Sequence, residues 1–200
     1  MAKQASIEIL CNKWANELSN ETIDMDYLYN CFRKIYAASV SSSIRNFQFR
    51  LIHRIIATNS QLHKWGIKEN GLCSFCNVVE ENYVHMFCQC ECVKTFWKDV
   101  FKWSKKALGT VINFSNSEII LGTPEKIEPL FDLVLIVGKK HINYCKYKNL
   151  TPNIDGFRKQ IEDVRAVEKY IAVKNKKLHV FHKKWFIMES NPNNSNESIS

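Results

Sequence analysis

Two hundred residues, 46% hydrophobic and 24% charged, suffice for one domain or two small ones and are too apolar for a disordered chain. A net charge of +8 and an isoelectric point near 9.0 favour polyanionic partners, RNA or DNA ahead of an anionic membrane. The N-terminal run Met1 to Ser6 has no apolar signal core, and the most apolar stretch, Leu130 to Val137, is short and interrupted by Asp132, so neither secretion nor a membrane span is expected and an intracellular chain is. In a reducing compartment its eight cysteines suit metal better than disulfides.

In chain order, Ile7, Leu10, Cys11, Trp14 and Leu18 fall three and four apart and predict a first helix. A second starts near Thr22, with Asp24 and Asp26 suited to a first turn, and carries Tyr27, Leu28, Cys31, Phe32 and Ile35 on one side. Ser39 to Ser43 is a polar break. From Ile44 to about Trp65, an apolar stripe of Ile44, Phe47, Leu51 and Ile55, widened by Ile52 and Ile56, predicts an amphipathic helix. Asn46, Arg50, His53 and Arg54 gather opposite that stripe, either as a solvated surface or as phosphate contacts.

After the turn signals Trp65-Gly66 and Asn70-Gly71 comes the most specific pattern of the chain. Two residues separate Cys73 from Cys76, eight separate Cys76 from His85, and four separate His85 from Cys90. Two close thiols followed by a His/Cys pair is the spacing of a structural zinc site with four ligands. A two-residue spacer lets one tight turn present both sulfurs. Glu80-Glu81 would start a short helix through His85, with Tyr83, Val84 and Phe87 covering the site. By spacing alone, Cys88 or Cys92 can replace Cys90. Four protein ligands leave no open position for an activated water, so one structural Zn2+ and no catalysis is the expectation.

A helix is then predicted over Val93 to Leu108, with Val93, Phe96, Trp97 and Val100 inward and Lys94, Lys98, Lys102, Lys105 and Lys106 outward. Asn113 to Asn116 reads as a loop. Pro124 and Pro129 stand where helix starts accept proline. A further helix carries Leu130, Phe131, Val134, Leu135, Ile142 and Cys145, weakened by Gly138. Phe157, Val164, Ile171, Leu178 and Trp185 repeat every seven residues and predict one long last helix. Its second seam falls on Glu168, Asn175 and His182 beyond Ile161, so it should pack back on the domain rather than form a coiled-coil dimer. Lys174, Lys176, Lys177, Lys183 and Lys184 crowd its end. Residues 189–200, rich in Asn and Ser, read as a disordered tail.

The expected fold is therefore mostly α, a helical domain organised around a small Cys/Cys/His/Cys knuckle with a long basic C-terminal helix. Its parts are an N-terminal helical segment (1–43), a zinc-binding domain (44–108), a linker (109–123), a basic helical segment (124–188) and the tail. Nucleic acid would be held through phosphate by Arg45, Arg50, Arg54, Lys94, Lys98, Lys102, Lys174, Lys176 and Lys177. Trp65, Tyr83, Trp97 and Trp103 are candidates for base stacking, with core packing the leading role for Trp97.

The wording of the chain goes further than spacing. Ile44 to Asn59, then Leu62-His63-Lys64-Trp65-Gly66-Ile67, Leu72-Cys73-Ser74-Phe75-Cys76, His85-Met86-Phe87, Cys90 and Phe96-Trp97 resemble the zinc-binding domain near the C-terminus of non-LTR (LINE-type) retrotransposon reverse transcriptases. Gly138 to Lys146 is similar to the segment that ends such polyproteins, so the likeness spans roughly residues 44–187. In that family four residues intervene between the histidine and the last ligand, which selects Cys90; the family is commonly aromatic where this chain has Cys88. The resemblance implies a non-catalytic module that helps a reverse transcriptase engage template RNA and target DNA during target-primed reverse transcription.

No Tyr-x-Asp-Asp turn or set of spaced aspartates for two magnesium ions is present, nor an endonuclease domain. Pro124-Glu125, Asp132 and Lys139 match only loosely the nuclease that some relatives place beyond the zinc site. The chain thus resembles the tail of a larger protein, either a truncated remnant or a fragment read as its own frame, acting in the nucleus or the cytoplasm. The rival expectations are a zinc-held interaction domain that docks on a reverse transcriptase core in trans, and an inert retrotransposon remnant.

Overall fold

The computed structural model describes residues 2–19, 22–109, 114–123 and 128–189. Among them run nine α-helices: α1 (Ala2–Glu17), α2 (Met25–Ala38), α3 (Ser42–Ile52), α4 (Asn59–Lys64), α5 (Glu91–Leu108), α6 (Asn116–Leu121), α7 (Pro129–Lys148), α8 (Ile154–Lys174) and α9 (Leu178–Glu189). A π-turn, His85–Gln89, leads into α5. No strand occurs among the described residues; a lone antiparallel bridge joins Leu72 and Glu80. None of the described helices is long and apolar enough to cross a membrane.

The most buried helix is α7, which packs against α2, α3, α5, α6, α8 and α9. Pro129 opens it at a position where the missing N–H costs nothing. Gly138, expected to weaken it, is what lets α5 approach: a Cβ there would lie 2.5 Å from Cη2 of Trp97. The Trp97 indole N–H donates to the Phe87 carbonyl at 2.7 Å, so this ring is core. Tyr83 is buried as well, and Trp103 sits edge-on against Phe157; only Trp65 of the four stacking candidates is largely exposed.

Two helices expected to be continuous are broken, and both breaks have one cause. The Ile44–Trp65 stretch stops at Ile52 because Arg54 adopts φ 58°, its N–H reaching the Leu51 carbonyl and that of Ile55 reaching Arg50. This is a Schellman cap with arginine in the left-handed position usually given to glycine. Ile55, placed on the apolar stripe by periodicity, is consequently exposed. Thr58 and Gln61 then start α4 with a reciprocal capping box. The long basic last helix is likewise two: Lys176 (φ 56°) caps α8 through Lys176 N–H to Val173 and Lys177 N–H to Ala172. Beyond it α9 packs back on α8, burying Trp185 and leaving Leu178 at the surface.

Residues 109–123, expected to be a linker, contain the capped and buried helix α6. Pro124 and Asn113 fall outside the described residues, as do 190–200; residue 189 ends α9.

Three ionisable side chains seven apart, Asp132, Lys139 and Lys146, lie buried on α7. Lys139 donates to the Ile120 carbonyl at 2.8 Å, and Gln48 donates to those of Ile120 and Leu121, so two side chains complete the open C-terminal end of α6. Asp132 accepts from the Thr123 hydroxyl, which also takes a bond from Lys34. Both residues are enclosed rather than facing a cleft, which argues against the loose nuclease match. Burial pushes the Lys139 ammonium down to about 7 from an ordinary 10.5. The unfolded chain therefore binds more protons across that window, and this residue's contribution to stability rises as pH increases from about 7 to 10.5. Lys139→Met should remove that rise, changing the slope by at most about 1.4 kcal/mol per pH unit in denaturant melts of the two proteins.

Candidate metal centre

The segment from Gly71 to Glu81 is a tight knuckle. Its two arms are joined by Cys73 N–H to the Val79 carbonyl (2.8 Å) and Glu81 N–H to Gly71 (2.8 Å), and Asn77 turns the chain at φ 52°. Asparagine tolerates that left-handed conformation better than most residues. The turn aims backbone N–H groups at the sulfurs: Phe75 donates to Cys73 Sγ at 3.4 Å, and Val79 and Val78 donate to Cys76.

The other two donors come from the chain beyond the knuckle. No helix begins at Glu80, as periodicity predicted, because Glu80 is held in the bridge to Leu72; helix starts at Tyr83. It widens at once into the π-turn, in which Cys90 N–H bonds the His85 carbonyl five residues back at 3.0 Å. In an α-helix, residues five apart point well away from each other; the wider turn brings His85 and Cys90 towards one side. Asn82 fixes its start by accepting the His85 N–H at 2.7 Å. Cys90 then stands at the N-cap of α5, where burial raises its thiol and the N–H groups of Cys92 and Val93 offset that only in part.

The four donor atoms of Cys73, Cys76, His85 and Cys90 all lie within 4.8 Å of one another, a cluster able to hold a metal ion. Cys73 Sγ is 3.8 Å from Cys90 Sγ, and Cys76 Sγ is 3.4 Å from His85 Nε2. A tetrahedral zinc with bonds of about 2.3 Å to sulfur and 2.0–2.1 Å to nitrogen sets its ligands about 3.5–3.8 Å apart, so the cage has the right size. Burial raises the thiols of Cys73 and, to about 12, Cys90. At Cys76 burial acts the same way, but the Val79 and Val78 N–H groups, His85 and Cys73 outweigh it and bring the thiol down to about 6. As thiolates these sulfurs would need a compensating cation, which a bound divalent ion would supply. Cys88 lies elsewhere, its sulfur 3.9 Å from the Asn116 carbonyl, and Cys92 is outside the cluster too.

Of the basic residues expected to face nucleic acid, Lys94, Lys98, Lys102, Lys174, Lys176, Lys177 and Arg50 are exposed, and Arg45 is partly so. Lys94 also pairs with Glu91 one turn away. Arg54 is different. Its guanidinium is 4.6 Å from the ring centroids of both Trp14 and Tyr83 and pairs with Glu17, whose other oxygen accepts the Tyr83 N–H. Its charge is spent on joining α1 to the metal segment, which removes it from the phosphate contacts.

Sequence reasoning missed the group that supports the cage from beneath. The fully buried Glu81 carboxylate accepts from Lys146 of α7, from Asn59 N–H at the start of α4 (2.8 Å) and from Ser74 N–H in the knuckle (3.3 Å). Lys146 also reaches the Ala57 carbonyl. The available signal was a lysine on the apolar side of α7, one turn from Ile142 and seven residues from Lys139. Glu81→Gln should strand a buried ammonium and cost about 3–5 kcal/mol of unfolding free energy, with part of it recovered by adding Lys146→Met. Chemical denaturation of the single and double variants checks this.

A family model described as zinc-binding in reverse transcriptase matches residues 13–97, a stretch that includes all four clustered donors as well as Trp14, Glu17 and Arg54. A search of the curated proteins finds no match. The matched unit is the zinc-binding part of such enzymes, distinct from the polymerase core. Residues 13–97 of this chain thus match the zinc-binding domain of reverse transcriptases.

Proposed function

We propose that Cys73, Cys76, His85 and Cys90 bind one zinc ion, and that the chain is a non-catalytic nucleic-acid-binding module. The observation that carries this reading is the closed, correctly sized Cys3His cage inside the matched domain. Zinc suits three sulfurs and an imidazole, and a fully ligated ion leaves no position for chemistry. The likeness to LINE-type elements supplies the biological setting: engagement of template RNA or target DNA in target-primed reverse transcription, within the nucleus or the cytoplasm. The contacts would be phosphate contacts from Arg45, Arg50, Lys94, Lys98, Lys102, Lys174, Lys176 and Lys177.

Cys90→Ser should lose stoichiometric zinc, whereas Cys88→Ser and Cys92→Ser keep it; metal analysis of the purified proteins reads this directly. Chelation should unfold the knuckle, since ligation of this type supplies on the order of 10 kcal/mol. For binding, log affinity for RNA should fall linearly with log salt, and Lys98→Gln with Lys102→Gln should flatten the slope by about two phosphates' worth.

A second reading is docking on a reverse transcriptase core supplied in trans. It draws on the exposed apolar side chains Trp65, Ile67, Val78 and Val79 of the knuckle and its flank. Capture of such a core by a protein with no RNA affinity at low salt would favour it.

A further inference from the structure

Helices α2 and α3 pack together and, with Ile7 of α1, line a groove of about 600 Å³. Three rings on it face solvent although the core lies close by: Tyr29 is 65% exposed, Tyr36 71% and Phe49 46%. Phe32 and His53 also line it, with ring centroids 5.0 Å apart and planes 30° apart, and the Phe49 ring centroid lies 4.3 Å from that of His53. Arg45 lays its guanidinium over the Tyr36 ring at 5.4 Å, extending the aromatic surface with a charged plane.

The spacing explains why these groups interleave. Tyr29, Arg33 and Tyr36 follow one another at four and three residues along α2, and Arg45, Phe49 and His53 at four along α3. Among the described residues that line the groove, which also include Ile7 and Ile35, there is no carboxylate. Arg33, between Tyr29 and Tyr36 along α2, and Arg50, next to Phe49 on α3, are exposed without being among the lining residues, and neither has an ion-pair partner among the described residues. Apolar rings alone would suit a protein helix; rings that share the surface with the Arg45 guanidinium and are flanked by Arg33 and Arg50 suit bases joined by phosphates.

We propose that the α2–α3 groove binds unpaired nucleotides of a single-stranded nucleic acid, stacking bases on Tyr29, Tyr36 and Phe49 while Arg33, Arg45 and Arg50 meet the phosphates. It rests on the nucleic-acid reading above and gives that reading a surface distinct from the lysine ridge of α5. Stacking tolerates any base, so the groove confers a preference for single strands rather than for sequence.

The test uses the full zinc-loaded chain and fluorescence anisotropy with a labelled single-stranded RNA of mixed sequence and the same RNA annealed to its complement. Tyr36→Leu and Phe49→Leu, both at exposed rings, should each lower single-strand affinity at least about fivefold while duplex affinity, zinc content and melting temperature stay unchanged. Tyr36→Phe should bind like the parent, because the ring and not the hydroxyl is used. Leucine variants with full single-strand affinity overturn the groove and leave the general binding reading intact. A parent protein that binds neither RNA at low salt overturns both. Variants that keep RNA binding but lose concentration-dependent self-association assign the groove to a second copy of the chain and overturn the proposal.

Discussion

The carboxylate of Glu81 fixes how the two halves of the molecule meet. Its oxygens take a backbone N–H from the start of α4, another from the knuckle and the ammonium of Lys146 from the central helix. A buried ion pair is a poor source of net stability, because both ions give up their hydration. Its effect is positional: once Glu81 is inside, only one placement of α7 brings a cation to it. The donors Cys73 and Cys76 leave the same short segment that Glu81 ends, so the support beneath the cage also sets the direction of its ligands. The four donor atoms able to hold a metal ion gather beside this support.

The same device recurs at other helix crossings. Glu168 of α8 accepts from Ser39 after α2 and from Lys184 and Trp185 of α9. Arg54, between two aromatic rings, joins Glu17 of α1 to the chain after α3. Apolar helix faces slide and rotate against each other at little cost, since one Leu–Ile contact resembles another. A single buried charge with one available partner makes register specific, a role attested for isolated polar groups in helical cores.

This division explains what could be read from the sequence. Apolar periodicity located α1, α2, α5 and α7 well, because each buries one regular face. The metal pattern was legible from spacing, although spacing left Cys88 and Cys92 open; the fourth place goes to Cys90 only because the π-turn carries it round to His85. Helix ends failed where the cap broke the usual chemistry. Gly66 and Asn149 mark the ends of α4 and α7 in the expected way, but Arg54 and Lys176 occupy the same left-handed position and look like ordinary helix residues. Glu168 appeared to be a defect in a heptad seam. It is buried because four donors from other segments converge on it, and long-range partners leave no mark in local periodicity.

The internal pairs also decide where the protein's charge is displayed. Glu17 with Arg54, Glu81 with Lys146 and Glu168 with Lys184 each sum to zero within the fold. Residues 71–92 carry three glutamates and no lysine or arginine, but one of the three, Glu81, faces α7 rather than solvent. Lys139, with its proton affinity brought to near neutrality, adds only a fraction of a charge. Nearly all of the net +8 remains on side chains in contact with water, concentrated on α3, α5 and the α8–α9 turn. A scaffold that neutralises its own interior and leaves cations outside carries a long-range attraction for polyanions without any one contact being specific. That field belongs to the proposed phosphate binding; discrimination between single and double strands would come from shape and stacking, the role proposed for the aromatic groove of α2 and α3.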